Sequence, residues 1–168
     1  MKKILVSIFL LILCLCSTSC IKKGIDFKVS YDKEGAFGFK EPNGGLKLFG
    51  NAYLTSKDQL ISLCDEWGNK SFDENEEYYN SDLAKLLRTY DDEYFKLNNL
   101  LIIEFENGRG IDSKVHKIST EESNLVVTIK QKELNGVWTT EAFEWLMIVE
   151  VSKEGTKGTS ELVVNLKK

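Results

Sequence analysis

Acid–base catalysis favours histidine, and this chain of 168 residues has one, His116. A Ser-His-Asp unit would have to use it. It stands between Val115 and Lys117 in a stretch with strand character, and no Gly-x-Ser-x-Gly elbow occurs in the chain. An exposed strand histidine is the expectation. A single histidine is too few for the usual His-rich zinc site, and no cysteine pair in the folded part replaces it. Asp73, Glu74, Asn75, Glu76 and Glu77 form the densest acidic cluster. Hard cations want several oxygen ligands, but with Asp73 at position one the sixth and twelfth positions are Tyr78 and Ala84, where a calcium loop needs Gly and Glu. A solvated loop ahead of a helix N-terminus, where acids complement the dipole, is the plainer expectation. Carboxylate pairs for glycoside hydrolysis can come from anywhere in a chain, and among 26 acids a pair signifies nothing by itself. Gly108-Arg109-Gly110 could present a guanidinium to a carboxylate, or simply form a turn. Trp67, Trp138 and Trp145 invite stacking on sugar rings. Trp67 falls on a helical apolar stripe and Trp145 in an alternating strand, which makes core residues of both. Trp138 follows Asn135-Gly136-Val137 in an expected loop. Arg109 and Trp138 are therefore the candidate partner or ligand contacts. No catalytic residue, metal ligand or cofactor is expected.

The N-terminus carries a more definite chemistry. Lys2 and Lys3 precede an apolar run from Ile4 to Leu15, the composition and length of a signal-peptide core. That run is too short for a bilayer span of about 20 residues. Ser17-Thr18-Ser19-Cys20 closes it. The arrangement resembles the lipobox of bacterial lipoproteins, whose cysteine receives a diacylglyceryl group and becomes the mature N-terminus. That family usually places Leu three residues before the cysteine, where this chain has Ser17. Ser17 and Ser19 also satisfy the small-x-small rule of ordinary secretory cleavage. The expectation is a lipid on Cys20 that anchors the protein to the membrane, facing outside the cytoplasm; the alternative is a freely secreted protein. Cys14 and Cys16 leave with the signal segment, so only Cys64 remains in the folded part, and an internal disulfide is excluded if Cys20 is acylated. Cys64 lies on an apolar helical stripe and reads as a small buried hydrophobe.

Residues 1–19 are thus a signal peptide, 20–24 a tether, and 25–168 one domain's worth of chain. The formal net charge of −4 becomes more negative when Lys2 and Lys3 leave. Such a balance argues against nucleic acid or an acidic membrane surface as partner.

Two periodicities organise that domain. Ile25, Phe27, Val29 and Tyr31 alternate with polar residues, the pattern of a half-buried strand. A hairpin is expected where Gly38–Lys40 and Leu46–Tyr53 flank Glu41-Pro42-Asn43-Gly44-Gly45. Ser56 with Gln59 makes a capping box ahead of the stripe Leu60, Leu63, Cys64, Trp67, and Gly68 suits the end of that helix. A second helix starts near Asn80 or Ser81, with Leu83, Leu86, Leu87 and Tyr90 on one face. From Leu100 the period shortens. Strands are expected over 100–106, 114–118, 125–131, 143–151 and 162–166, the first ending in a hairpin turn at Asn107-Gly108. Short turns between consecutive strands argue for antiparallel pairing. The expected class is α+β: an antiparallel sheet or sandwich, with two helices between an N-terminal β segment and the main sheet.

Two segments carry a resemblance. Tyr90-Asp91-Asp92-Glu93-Tyr94-Phe95 followed by Asn98-Asn99-Leu100 resembles the Y-D-x-x-F-F-x-x-x-x-L segment of a group of uncharacterised bacterial lipoproteins. Ala142 to Lys153 is similar to that group's A-x-x-W-x-x-x-x-E-x-x-K strand. The group in turn resembles, more distantly, the C-terminal domain of a PrcB-type protease-complex subunit. The likeness covers residues 54–166. Where the group has a Ser/Gly-rich turn after its first sheet strand, this chain has Asn107-Gly108-Arg109-Gly110. The resemblance implies a non-enzymatic accessory domain that binds an envelope protein such as a protease, and it implies no catalytic residues. A peptidoglycan or carbohydrate binder and an envelope hydrolase with paired carboxylates stand as alternatives.

Overall fold

The computed structural model describes residues 24–38, 50–136 and 141–168. The expected signal segment, Cys20, most of the expected hairpin around residues 41–45, and Trp138 lie outside them. Seven strands are described: β1 (Phe27–Glu34), β2 (Ala52–Leu54), β3 (Asn98–Gly108), β4 (Ile111–Glu121), β5 (Asn124–Glu133), β6 (Ala142–Ser152) and β7 (Glu161–Lys167). The helices α1 (Lys57–Glu66), α2 (Asp82–Leu87) and α3 (Tyr94–Leu97) fall between β2 and β3. The class is α+β, and no helix among the described residues is long and apolar enough to cross a membrane.

The helix boundaries follow from their caps. Ser56 Oγ accepts from the Gln59 backbone N–H at 3.2 Å, and Gln59 Oε1 accepts from the Thr55 N–H at 2.7 Å. The reciprocal bond of the capping box is therefore displaced by one residue. Gly68 ends α1 at φ +68°, a conformation glycine adopts without steric cost. Ser81 caps α2 by accepting from the Ala84 N–H at 3.1 Å.

The strands form two sheets rather than one. The first has the order β1-β6-β3-β2 and is antiparallel throughout. The second has the order β4-β5-β7, in which β7 runs parallel to β5, against the antiparallel expectation. The chain's route explains this. Between β5 and β7 it crosses to the first sheet as β6 and runs back there, so β7 must retrace the direction of β5.

β3 and β6 lie in the middle of three layers. Leu101, Ile103, Met147 and Val149 face the second sheet, against Ile118, Leu125, Val127 and Ile129. Leu100, Ile102, Leu146 and Ile148 face the helices, against Leu60, Cys64, Leu87 and Phe95. Burial on both faces is why these two strands read as unbroken apolar runs instead of alternating.

β1 departs from its expected alternation. Val29 pairs with Val149 and Tyr31 with Ile148, so Ser30 is an extra residue, a β-bulge. The bulge reverses the phase of the rest of the strand. Tyr31 packs with the helix-side cluster rather than on the face of Phe27 and Val29. Asp32 and Glu34 take the inner face instead, opposite Met147 and Trp145.

Glu150 ties the bulge to the helical layer. It accepts from the Ser30 hydroxyl, from Lys28 Nζ at 3.0 Å and from the Tyr90 hydroxyl at 3.2 Å. Lys153 Nζ donates to the Phe95 carbonyl at 2.8 Å. The two segments that carry the lipoprotein resemblance therefore bond directly to each other.

Burial, with the charge of Glu150 beside them, pushes the Tyr90 and Tyr94 phenols up from their ordinary value. Burial, with Asp65 adding to it, pushes the Cys64 thiol up to about 12. Each group keeps its proton in the native state at a pH where the unfolded chain has lost it. Native protein then binds more protons, so stability falls as pH rises, by about 1.4 kcal/mol per pH unit for the buried Cys64 thiol and by less for a partly exposed phenol such as Tyr94. The decline begins near pH 9 with Cys64 and steepens near 10 with the tyrosines. Guanidinium midpoints measured from pH 8 to 12 will show this decline, starting about one unit later in Cys64→Ala. A flat profile contradicts it.

Candidate functional site

β1 and β4 are the edge strands of the two sheets on one side of the sandwich. They meet at one end, where the Ile25 N–H donates to the Ile118 carbonyl at 2.8 Å. Toward the β3–β4 connection they part, leaving a cleft of about 580 Å³. Asp32 and Glu34 enter it from β1, Asp112 and Ser113 from β4, and Phe143 and Trp145 from β6. The Ser30 bulge is what aims Asp32 and Glu34 into this space; without it Tyr31 and Lys33 would face the cleft.

The β3–β4 connection shapes the mouth. The turn itself is Arg109-Gly110, two residues beyond the expected Asn107-Gly108, which instead pairs within β3 against Phe143 and Ala142. The reason is that β3 and β4 belong to different sheets, so the chain changes layer here instead of folding back on its own neighbour. Asn107 is buried and works as a clamp. Its Oδ1 accepts from the Gly108 N–H and the Ser113 hydroxyl, each at 3.1 Å, and its Nδ2 donates to the Ile111 carbonyl at 3.3 Å.

Arg109 stands at the mouth with its guanidinium 4.7 Å from the centre of the Phe143 ring, a cation–π geometry. The Trp145 indole N–H donates to Asp32 Oδ1, which fixes ring and carboxylate together across the β1–β6 pair. Lys114 Nζ bonds Asp112 Oδ2 at 2.8 Å. That hydrogen bond and the Asp112 charge push the Lys114 ammonium above its ordinary value, with a smaller contribution from Asp32. The cleft therefore combines two aromatic rings, one guanidinium and three carboxylates.

A second groove of about 590 Å³ lies on the other side of the turn, with Glu106, Glu133, Leu134 and Glu141 on its walls. After β5 ends at Glu133, Gly136 and Glu141 both line this groove. Trp138 belongs to the connection between them.

Of the residues singled out from sequence, Arg109 is the one the cleft incorporates. Trp145, expected in the core, does pack against the inter-sheet cluster, but its indole edge serves the cleft. Trp67 is half-buried and meets Phe37 edge-on at 5.7 Å. His116 is the exposed extra residue of a second bulge, between Val115 and Lys117. In the acidic loop Asp73 Oδ1 accepts from the Asn75 backbone and side-chain N–H groups, at 3.0 and 3.1 Å. No group of three or more His, Cys, Asp or Glu among the described residues could hold a metal ion. Sequence reasoning missed Asp32, Glu34 and Phe143. The spacing of Phe143 and Trp145 does place both on one strand face, but the carboxylates depend on the bulge, which leaves no mark in the composition of β1.

No family model, no curated protein and no solved structure matches this chain.

Proposed function

We propose that this chain is a non-catalytic binding domain of an exported, lipid-anchored protein, and that the cleft between β1 and β4 receives a segment of a protein partner. The observation that carries the reading is the pairing of Arg109 over Phe143 beside the Trp145–Asp32 pair at an open cleft mouth. Aromatic and arginine side chains with buried stems are the usual anchors of protein interfaces, and the flanking acids give complementarity to a basic or polar segment. The resemblance of Tyr90–Leu100 and Ala142–Lys153 to a lipoprotein group, and through it to a PrcB-type subunit, supports the same reading.

Hydrolysis by a carboxylate pair would need one acid in an apolar pocket. Asp32 and Glu34 are both exposed on an edge strand, which favours binding over catalysis. A carbohydrate ligand is the second reading, favoured by Phe143 and Trp145 sharing one strand face beside carboxylates.

Crosslinking the full-length protein in its native membrane, followed by mass spectrometry, tests the proposal. One stoichiometric partner is expected, with recovery reduced at least tenfold by Arg109→Ala combined with Phe143→Ala. Absence of a partner, or recovery indifferent to both substitutions, overturns it; glycan retention by the same protein would then select the second reading.

Anchoring has its own test. Each buried methylene of an acyl chain contributes about 0.8 kcal/mol, and two chains suffice for stable attachment. Cys20→Ala is expected to move the protein from the membrane fraction to the soluble fraction, and unchanged retention refutes lipidation at that residue.

A further inference from the structure

The second sheet turns one face away from the core, and much of that face is basic. Strand register places Lys114 of β4, Lys130 of β5 and Lys167 of β7 abreast in a single row. Lys132 follows on the same face one pair further along β5, and Lys117 lies on the other side of the row, opposite Thr128. Strands sit about 4.8 Å apart, so the three side chains of the row start within about 10 Å of one another. All five lysines are exposed. Lys114 is paired with Asp112; Lys117, Lys130, Lys132 and Lys167 have no ion pair among the described residues. Of the acids of this face, Asp112 stands opposite Lys132 and takes the ion pair with Lys114, whereas Glu121 and Glu161 stand at the opposite end beside Asn124. Like charges directly opposite across a sheet are destabilising. A chain with 26 acids and 22 bases nevertheless aligns three lysines without an acid between them.

The tether leads to the same sheet. Gly24 precedes Ile25, whose N–H donates to the Ile118 carbonyl of β4, four positions from Lys114 and therefore about 13 Å from it along the strand. Residues 20–23 can span at most about 14 Å. An anchor on Cys20 would hold this face within reach of lipid headgroups.

We propose that the outer face of the β4-β5-β7 sheet lies against an anionic bilayer surface, its lysine row supplying a second attachment beside the acylated Cys20. This rests on the lipid-anchor reading. A single acyl chain with a basic patch, or two chains, is what durable membrane residence requires, and lysines near an anionic surface strengthen it additively. The net negative charge does not oppose this. The helical layer and the first sheet stand behind the second sheet by about 10 Å or more, at or beyond the Debye length of physiological salt.

The test uses the mature protein purified from native membranes, whose intact mass reads the lipid on Cys20. It is mixed with vesicles of phosphatidylcholine alone or with a third phosphatidylglycerol, and lysines are labelled with an amine-reactive probe. Lys130 and Lys167 are expected to be labelled several-fold more slowly in the anionic vesicles, an effect lost in 1 M NaCl, while Lys85 on α2 is labelled equally in both. Lys130→Gln with Lys167→Gln is expected to lower partition into anionic vesicles about fivefold for each lysine removed. Equal labelling in the two vesicle types overturns the proposal. So does protection by soluble polyphosphate without protection by anionic vesicles, which would assign the face to an anionic polymer. If the intact mass shows no lipid, the anchor reading fails by itself, and co-sedimentation of the unlipidated protein with the same vesicles still decides the role of the face.

Discussion

Ile103→Asp will leave the domain unfolded. Ile103 is fully buried in the middle layer and packs between the two sheets with Leu101, Ile129 and Met147. Truncating such a side chain alone costs about 2–5 kcal/mol. An unpaired carboxylate there adds a desolvation penalty of several kcal/mol more. Total stability of a domain this size is about 5–15 kcal/mol, so the sum removes most or all of it. Circular dichroism and urea titration will show loss of the cooperative transition. Val163→Asp, on the outer face of β7, will shift the midpoint by less than about 1 kcal/mol. A cooperative transition near the wild-type midpoint for Ile103→Asp would refute the three-layer assignment.

Deleting Ser30 should be nearly as damaging, for a different reason. The bulge lets one strand serve two clusters: Phe27 inward before it, and Tyr31 toward the helices after it. Without the extra residue, either Tyr31 and Lys33 are forced into the inter-sheet side or the strand beyond Val29 loses its pairing with β6. Both outcomes also remove a donor to Glu150. The expected loss is about 3 kcal/mol or more, chiefly from misplaced packing, with a smaller share from the part-buried hydrogen bond to Glu150. Ser30→Gly keeps the backbone count and will lose only about 1 kcal/mol, chiefly the hydroxyl bond. Comparing the two by urea denaturation separates register from chemistry; equal losses would mean that the bulge does not set the phase.

Much of the fold was legible from local chemistry. Ser56 with Gln59 and Ser81 marked both helix starts because a capping side chain acts within one turn. The strands from β3 to β7 were legible because unbroken apolar runs and turn residues report burial and reversal locally. Sheet membership was not. Whether β4 pairs with β3 or crosses to a second sheet depends on which strand covers which face, and Asn107-Gly108 has the same composition in either case. The parallel β5–β7 pair is likewise a product of route. The candidate site suffered most. Arg109 could be seen because two glycines isolate it, whereas Asp32 and Glu34 look like ordinary solvent-facing positions until one extra residue turns them inward. Net charge hid the lysine row for a similar reason, since register across three strands is invisible to a sum.

The pairing of β1 with β6 has a temporal side. Lys28 and Glu150 are 122 residues apart in the chain, and β7, which completes the other sheet, occupies the last residues of the sequence. Contacts of such long separation form late and slowly, because loop closure must precede them. As the chain emerges from synthesis, the short helices and the β4–β5 hairpin can form early, but neither sheet can be completed until β6 and β7 have appeared. Export, as proposed for this chain, would require the polypeptide to remain unfolded until it has crossed the membrane. Here the order of strands along the chain delays folding through topology alone.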